Sequence, residues 1–522
     1  MGIAPVNAWP FAWVAMVPLW GLLFGLGSQN SLSVRAAVIG AALWGVAYHG
    51  TALSWIVWWL KPLLAMGLPL LGGVFLALLA WIFITLWGAA IGITWMLALR
   101  GVIKWSDARL SRSKKRGLTG YLLVLVGTAL WCAVEWVWSR GPLYWTSLSY
   151  TQSPYNLAGL QWAQVSGPTT VTAAIVAVNG LLAAAVWQSP DSEKVLNLGG
   201  LIRLKTFAGS AIALFLTFHL VGFVWLSLPT LENPKNRLTV GLVQGNILTS
   251  EKQTYQGITA SRQVYLEGYE ELVAAGAELV ITPEGAIAQL WNSFTQDQDL
   301  LMRAVVRNQV PLLLGTFARQ NLEQHQGPTM QSLLLLSPDS TVVGRYNKIK
   351  LVPLGEYLPF EPLLRKVMGS LLRWSSLTPG RFDQQLSTPY GPMAAGICYE
   401  SAFTNIFRQQ VASGGQVILT ASNNDPYPPR QMMQHHGQDV MRAIETGRWA
   451  VRVTNTGISG VVDHKGRSLW LSNPGERAVH NAKIYLRQKQ TLYVRWGDWL
   501  TPLLLVASLI ALQFFPIKTV NS

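Results

Sequence analysis

The chain has 522 residues, of which 50% are hydrophobic and only 12% are charged, and its formal net charge is +15. Ordinary globular chains carry about 25% charged residues, so this composition excludes a purely soluble protein and predicts that a large part of the chain lies in lipid. Residues 1–231 and 496–522 hold 14 Lys and Arg against 5 Asp and Glu, whereas residues 232–495 hold 26 against 20. The excess of positive charge thus lies beside the apolar segments, as in membrane proteins. We expect the lipid bilayer as a partner and no nucleic acid.

Seven stretches are long and apolar enough to cross a bilayer, which takes about 20 residues. In chain order they are Pro5–Gly27, Ala36–Leu60, Leu68–Leu99, Thr119–Trp138, Thr169–Trp187, Phe207–Leu228 and Trp499–Phe515. The sequence therefore predicts an α-helical polytopic membrane bundle of about seven helices. We expect transmembrane helices over residues 1–231, an α/β domain over residues 232–495, and a C-terminal transmembrane helix and tail over residues 496–522.

A cluster of basic residues predicts which side of the membrane each loop faces. Seven Lys and Arg lie between Arg100 and Arg116, and such loops stay in the cytoplasm. Counting spans forward from there places residues 232–495 outside. Counting backward places the N-terminus outside as well, so we expect a further helix ahead of the first residue.

Residues 232–495 alternate short apolar runs with helical patterns, which is typical of sheets covered by helices. The predicted strands are Leu238–Gln244, Leu279–Thr282, Pro311–Phe317, Leu333–Leu336, Val342–Tyr346, Met393–Ile397, Val417–Thr420 and Ala450–Thr454. The predicted helices are Ser261–Ala275, Asp297–Asn308, Phe403–Ala412 and Gln431–Arg448. Polar residues that stand directly after these strands are the first candidates for a functional site.

Cys398 directly follows the strand Met393–Ile397, and the only other cysteine, Cys132, lies in an apolar stretch. We expect the sulfur of Cys398 to be exposed at a strand-to-helix corner, where backbone N–H groups can face the atom that it attacks. The alternative is an inert buried thiol, as most unpaired cysteines are. A lone thiol in an oxidising compartment is a liability unless it is used, and this favours a nucleophile.

Two charged residues also follow predicted strands. Glu284 stands in Ile-Thr-Pro-Glu-Gly, where apolar surroundings make a carboxylate more basic, and Lys348 stands in Arg-Tyr-Asn-Lys. Either residue alone could be a solvated surface charge. Together they offer the base and the cation that a thiol nucleophile needs. The histidines and cysteines show no metal-ligand spacing, so we expect neither a metal nor a cofactor.

These three residues resemble the Glu-Lys-Cys triad of the nitrilase superfamily, whose fold is an αββα sandwich. The chain as a whole, from about Pro5 to the last apolar stretch, resembles the apolipoprotein N-acyltransferase family. The motifs that carry the resemblance are Tyr144-Trp145 ahead of Leu148-Ser149-Tyr150, Val243-Gln244-Gly245-Asn246, Pro283-Glu284, Tyr346-Asn347-Lys348, Leu351-Val352-Pro353-Leu354-Gly355-Glu356, Cys398-Tyr399-Glu400, Met441-Arg442-Ala443 and Asn455-Thr456-Gly457.

The resemblance implies the reaction. Cys398 would attack the ester of a phospholipid acyl chain, giving a thioester and a lysophospholipid. The α-amino group of the N-terminal diacylglyceryl-cysteine of an apolipoprotein would then take the acyl chain. Glu284 would accept the proton of Cys398, while Lys348 and the backbone N–H of Tyr399 would stabilise the oxyanion. The enzyme would be a multi-pass protein of the bacterial cytoplasmic (inner) membrane, with its catalytic domain on the periplasmic side.

The resemblance also implies supporting residues. Glu356 and Glu400 match glutamates that the family needs near the triad, where they would hold Lys348 and the neighbouring loops. Alternatively, Glu400 is a negative charge that the N-terminus of a helix stabilises. Trp145 matches a family tryptophan beside the site, and an interfacial membrane anchor is the alternative for that residue.

The sequence departs from the family pattern around the site. The segment Ser422–Pro429 is proline-rich where relatives place an aromatic lid, Gln331-Ser332 stands where they place Asn, and Lys252-Gln253-Thr254 replaces an expected Trp. We expect Leu354–Arg381 and Asn423–Gln434 to form a mobile, membrane-facing gate, because the first segment mixes basic residues with many apolar ones, among them Leu371, Leu372 and Trp374. A short amphipathic helix packed on the domain core is the alternative.

Two other functions fit parts of the chain. A membrane-tethered amidase of the nitrilase type would use the same triad with water, but a small soluble substrate requires no membrane bundle. A receptor or transporter would only bind its ligand, but no apolar stretch carries a charged residue near its middle, where a polar pathway would be expected.

Overall fold

The computed structural model describes residues 2–3, 6–24, 33–65, 68–110, 119–187, 198–252, 254–291, 299–324, 326–362, 366 and 376–514. The chain forms two compact units. We call Met1–Pro229 together with Trp496–Ser522 the helical unit, and Thr230–Arg495 the α/β unit.

Among its described residues, the helical unit contains nine α-helices, α1 to α9, and a further C-terminal helix, Leu500–Phe514. The labelled helices are α1 (Val17–Phe24), α2 (Val34–Ala52), α3 (Leu60–Ala65), α4 (Leu70–Leu110), α5 (Thr119–Trp138), α6 (Leu157–Leu160), α7 (Ala163–Ser166), α8 (Pro168–Trp187) and α9 (Leu198–Ser227). Short 3₁₀ helices at Trp9–Trp13, Ser54–Trp59 and Leu148–Gln152 complete it.

Four of these helices are long and apolar enough to cross a membrane, counted over the described ranges. They are Leu70–Ser106, Gly120–Trp138, Pro168–Trp187 and Leu204–Ser227. The predicted number of seven spans is therefore not confirmed. The first predicted span contains the turn Trp9–Trp13 and the eight residues of α1, and the C-terminal helix has 15 residues. Within the described residues, both helices are shorter than the roughly 20 residues that a bilayer requires.

Helix α8 lies at the centre of the helical unit, since most of its side chains are buried. Its Asn179 accepts a hydrogen bond from the backbone N–H of Met16 at 2.8 Å and donates one to the carbonyl of Ala12 at 2.9 Å. Buried amides that bond between helices are typical of membrane bundles. Large apolar side chains of α4 and α9, such as Leu71 and Leu220, are exposed, as expected for surfaces that face lipid.

The α/β unit contains twelve described strands in two sheets. The strands are β1 (Arg237–Gln244), β2 (Leu279–Ile281), β3 (Ile287–Leu290), β4 (Leu312–Arg319), β5 (Thr329–Leu336), β6 (Val342–Asn347), β7 (Ala394–Ile397), β8 (Ile418–Ser422), β9 (Ala450–Thr454), β10 (Gly460–Val462), β11 (Ser468–Leu471) and β12 (Ala478–Tyr485). One sheet has the order β12-β1-β2-β4-β5-β6, with β3 paired to β4, and the other has the order β11-β10-β9-β8-β7. All eight predicted strands are confirmed; β3, β10, β11 and β12 were not predicted.

Among the described residues of this unit, six helices accompany these strands. They are α10 (Thr249–Lys252), α11 (Tyr255–Ala274), α12 (Leu300–Asn308), α13 (Thr404–Ala412), α14 (Pro429–Thr446) and α15 (Leu492–Trp496). The four helices predicted from the sequence correspond to α11, α12, α13 and α14, with boundaries shifted by a few residues.

The two sheets enclose one apolar core. Leu238 and Leu242 of β1 pack in the same cluster as Leu419 of β8 and Val451 of β9. Successive residues of a strand point to opposite faces, and Val243 of β1 accordingly packs in a second cluster together with α11 and α12. Helices α13 and α14 accompany the other sheet, where the Gln410 side chain of α13 bonds to the backbone of β7. The predicted arrangement of two sheets covered by helices is thus confirmed.

The predicted gate segments are described only in part. Leu371, Leu372 and Trp374 lie outside the described residues. In the second segment, α14 begins at Pro429, two residues before the predicted helix start at Gln431. Pro429 occupies the first helical turn, a position that suits proline.

The fold places one polar residue at the end of each of three strands. Glu284 follows β2, Lys348 follows β6 and Cys398 follows β7. Gly315 of β4 lies against the segment that carries Glu284, because a Cβ atom at Gly315 would be 1.9 Å from the carbonyl oxygen of Pro283. Only glycine allows this close approach.

We predict that Gly315→Ala displaces the Pro283–Glu284 segment. Overpacking of this kind costs about 1–3 kcal/mol, so the midpoint of thermal unfolding in detergent should fall. The matched control is Gly209→Ala in α9, where a Cβ atom meets nothing within 4 Å. Equal midpoints for the two variants would show that Gly315 does not fix this segment.

Candidate active site

Lys348 is fully buried and lies between two carboxylates. Its Nζ donates a hydrogen bond of 2.8 Å to Oε1 of Glu284 and a second, shorter one to Oε1 of Glu356. Burial opposes the charged form of the lysine, but Glu284 and Glu356 outweigh that effect and hold the pKa of Lys348 well above its usual range. The site therefore contains a permanent cation where the resemblance placed the oxyanion-stabilising lysine.

Both oxygens of Glu284 are engaged. Oε1 accepts from Lys348, and Oε2 accepts the backbone N–H of Asn423 at 2.8 Å. Asn423 directly follows β8 and opens the segment that departs from the family pattern. The departure therefore preserves a backbone donor for Glu284, and two hydrogen bonds fix the orientation of the carboxylate.

Cys398 begins a short 3₁₀ helix, Cys398–Ala402, and its φ of 53° lies in the left-handed region. The prediction of an exposed sulfur is wrong, because the residue is only 8% exposed. The α-helix α13 starts after this turn, at Thr404. Burial raises the pKa of the Cys398 thiol, Glu284 raises it further, and Lys348 acts in the opposite direction. The thiol is therefore protonated at rest and requires a base.

Glu400 is fully buried and joins the two strands that carry Cys398 and Lys348. Its Oε2 accepts the backbone N–H of Ile397 at 2.6 Å and the hydroxyl of Tyr346 at 3.0 Å. Its Oε1 accepts the backbone N–H groups of Ile349 at 2.5 Å and Lys350 at 3.1 Å. The carboxylate of Glu400 thus connects Ile397, which precedes the nucleophile, to Ile349, which follows the buried lysine.

The other predicted site residues are placed as follows. Glu356 reaches Lys348 with Oε1 and accepts the backbone N–H of Val352 at 2.9 Å with Oε2. The side chain of Tyr399 packs edge-on against Phe403, with ring centroids 5.0 Å apart. In the α/β unit the structure thus brings Glu284, Lys348, Cys398, Tyr399, Glu356 and Glu400 together.

Trp145 belongs to the helical unit. It is buried, and its ring lies edge-on to that of Trp55 with centroids 5.4 Å apart. The residues on either side of it are held by Glu135, which accepts from the hydroxyl of Tyr144 at 3.1 Å and from the hydroxyl of Ser147. This buried carboxylate fixes the segment that carries Trp145 within its own unit.

The sequence analysis missed a buried polar cluster beside Cys398. His435 and Asp439 of α14 and Arg452 of β9 are all at most 3% exposed. Polar residues at a spacing of four on a helix, as at 435 and 439, mark one face, and that spacing could have indicated a buried polar stripe. In the sequence, Arg452 is a single polar residue in an apolar strand, and no local pattern predicts its hydrogen-bond partners.

Lys252 belongs to the stretch Lys252-Gln253-Thr254 that replaces an expected Trp, and it is a second cation near the base. It is 3% exposed, and its Nζ donates to the carbonyl of Gly285 at 3.1 Å. Burial lowers the pKa of Lys252 to about 8, while Glu284 and Asp425 act in the opposite direction. The substitution thus places a second cation next to the segment that carries Glu284.

The chain is similar to known proteins over both of its units. A model of the carbon-nitrogen hydrolase family matches residues 239–491, and a model of the apolipoprotein N-acyltransferase N-terminal domain matches residues 1–181. Proteins named apolipoprotein N-acyltransferase from Nostoc sp. and Synechocystis sp. are 40% and 37% identical to the chain. The alignments cover 97% and 98% of this chain, and 95% and 97% of those relatives. The chain belongs to the apolipoprotein N-acyltransferase family.

Membership of the apolipoprotein N-acyltransferase family makes the chain an acyltransferase with a carbon-nitrogen hydrolase domain, and its apolar helices make it a bacterial membrane protein. A further relative of the same name, from Thermosynechococcus vestitus, is 39% identical over 97% of this chain and 91% of its own. Among solved structures, a carbon-nitrogen hydrolase from Helicobacter pylori covers 50% of this chain and 94% of its own, with 17% identity and a TM-score of 0.39.

Proposed function

We propose that this enzyme transfers an acyl chain from a membrane phospholipid to the α-amino group of the N-terminal diacylglyceryl-cysteine of apolipoproteins, through a thioester on Cys398. The observation that carries the proposal is the hydrogen bond between the buried Lys348 and Glu284, beside a buried thiol, in a chain of this family. A base, a permanent cation and a nucleophile are the groups that acyl transfer requires.

In the first half-reaction, Glu284 takes the proton of the Cys398 thiol as the sulfur forms a bond to the ester carbonyl carbon. The negative charge then rests on the carbonyl oxygen, where Lys348 and the backbone N–H of Tyr399 stabilise it. The ester C–O bond breaks, and the lysophospholipid oxygen takes the proton back from Glu284. The products are a thioester and a lysophospholipid.

In the second half-reaction, the α-amino group of the apolipoprotein attacks the thioester carbonyl. Glu284 takes the amine proton, the same donors stabilise the oxyanion, and the C–S bond breaks. The sulfur leaves as a thiolate and recovers the proton from Glu284. One set of oxyanion donors serves both steps, so ping-pong kinetics are expected.

Glu356 and Glu400 support the chemistry without entering it. Glu356 shares the ammonium group of Lys348 with Glu284, and Glu400 fixes the strand ends on both sides of the site. We assign Trp145, which matches a family tryptophan, to substrate binding. Both substrates carry lipid chains, and this favours a membrane acyltransferase over an amidase that uses water.

The enzyme acts at the bacterial inner membrane with its α/β unit on the periplasmic side. The basic residues between Arg100 and Arg116 support this orientation. The donor is a phospholipid, and the acceptor is a diacylglyceryl-modified apolipoprotein.

We predict that Cys398→Ala abolishes both half-reactions, because the variant lacks the sulfur on which the thioester forms. Lysophospholipid release and lipoprotein N-acylation, each measured by mass spectrometry, should fall at least about 10³-fold, as expected for loss of a nucleophile. Cys132→Ala, which removes the thiol of α5, should leave both unchanged. Activity of Cys398→Ala near that of the wild type would refute the mechanism.

A second prediction concerns orientation. In a chain with Cys132→Ala and Cys398→Ala, an impermeant maleimide should label Tyr255→Cys in spheroplasts, because Tyr255 is 86% exposed on the α/β unit. Lys104→Cys, at an exposed position among the basic residues, should react only after lysis. The opposite pattern would place the α/β unit in the cytoplasm.

A further inference from the structure

A buried ion pair lies next to the nucleophile in the α/β unit. Arg452 of β9 and Asp439 of α14 are paired through two hydrogen bonds, and both residues are almost completely buried. Arg452 also donates to the hydroxyl of Ser401 at 2.6 Å and to the hydroxyl of Ser422. Charge-assisted bonds of this kind are the strongest in a protein interior, so the cluster is a fixed support behind the turn that begins at Cys398.

His435 connects this support to Cys398. Its Nε2 lies 2.7 Å from the carbonyl oxygen of Cys398, and its Nδ1 lies 3.3 Å from both Nη1 of Arg452 and Nδ2 of Asn424. An arginine can only donate, so Nδ1 of the histidine must accept. The hydrogen of the neutral ring is therefore on Nε2, which donates to the Cys398 carbonyl.

The ring stays neutral at physiological pH. Burial, together with the positive charge of Arg452, holds the pKa of His435 well below its usual range. The Nε2–H donor is therefore present whenever the enzyme works, and it does not depend on the protonation steps of the triad.

A hydrogen bond to the Cys398 carbonyl also affects the backbone N–H of the next residue, Tyr399. The C=O of Cys398 and the N–H of Tyr399 belong to one planar trans peptide unit, in which they point in opposite directions. The φ of 53° at Cys398 is a conformation that non-glycine residues adopt only where their surroundings impose it. A donor that fixes the carbonyl thus also fixes the direction of the Tyr399 N–H.

We propose that His435 is a positioning residue that holds the Cys398–Tyr399 peptide so that the N–H of Tyr399 faces the oxyanion of acyl transfer. The proposal rests on the proposed function, which makes that N–H an oxyanion donor. His435 touches neither substrate nor the sulfur in this account, and it acts only through the peptide.

Two substitutions of His435 test the roles of its two ring nitrogens separately. His435→Asn keeps an acceptor near the Nδ1 position, facing Arg452, but has no atom at the Nε2 position. His435→Gln reaches the Nε2 position with an amide that can donate to the Cys398 carbonyl. The matched control is His436→Gln, since Nε2 of His436 instead bonds to Ser468 at 2.8 Å.

Two reactions of Cys398 serve as readouts on the full-length enzyme in detergent micelles. Acylation by p-nitrophenyl palmitate passes through a tetrahedral oxyanion, and its burst of p-nitrophenol reports thioester formation. Alkylation by iodoacetamide requires the same thiol and base but forms no oxyanion. A loss of oxyanion alignment should therefore slow the first reaction and spare the second.

Loss of one oxyanion donor slows a reaction by about 10²–10³-fold. His435→Asn keeps the Tyr399 N–H but no longer fixes its direction. We therefore expect this variant to slow acylation by about 10–100-fold. Its alkylation rate should stay within about twofold of the wild type, because the thiol and its base are unchanged. His435→Gln should recover most of the acylation rate, and His436→Gln should match the wild type in both reactions.

An unchanged acylation rate in His435→Asn would overturn the inference, and so would a parallel fall of acylation and alkylation, which indicates a general structural role. Acylation that His435→Gln does not restore also counts against it, provided that this variant alkylates normally. Failure of the wild type to show any burst would instead refute the thioester mechanism.

Discussion

A buried ammonium group between two carboxylates is the interaction on which the rest of the site depends. Lys348 has no exposed side-chain surface, and Glu284 and Glu356 neutralise it from two sides. Removing one partner of a buried ion pair costs about 3–5 kcal/mol, because an uncompensated charge remains. The lysine therefore cannot be desolvated without both glutamates, and the glutamates cannot be buried this close together without the lysine. Their mutual dependence holds the base and the cation in one place before any substrate arrives.

The nucleophile comes from the other sheet, so its position must be set separately. Glu400 does this by accepting four hydrogen bonds, from the residue before Cys398 and from the strand end that carries Lys348. Burial keeps the Cys398 thiol protonated until Glu284 removes its proton, whereas Glu284 and Glu356 keep Lys348 charged against the effect of its burial. Oxyanion stabilisation of this kind requires donors that are already aligned when charge develops.

Much of this arrangement follows from local sequence patterns, and the remainder depends on long-range contacts. Apolar runs bounded by turn residues predict β2, β6 and β7, and hence the positions of Glu284, Lys348 and Cys398 at strand ends. Strand β12 was missed because His480, Asn481 and Lys483 interrupt its apolar pattern, although it pairs with β1 over its whole length.

Burial was the least predictable property of the site. Cys398 is covered by tertiary contacts that its neighbours in sequence do not reveal, and the donors around His435 come from separate elements, β9 and the segment after β8. The predicted number of membrane helices is not confirmed, since the described part of the first apolar stretch contains the 3₁₀ helix Trp9–Trp13 as well as the short helix α1. Composition predicts a membrane location without fixing how each apolar stretch folds.

The intact mass of the enzyme after incubation with phospholipid alone tests the central claim most directly. With no acceptor present, the wild type should gain the mass of one acyl chain on Cys398, and so should the control Lys483→Met, which removes an exposed lysine of β12. Lys348→Met, which leaves Glu284 and Glu356 without their counter-ion, should gain none. An acyl adduct that forms on Lys348→Met at the wild-type rate, or on a residue other than Cys398, would contradict the account.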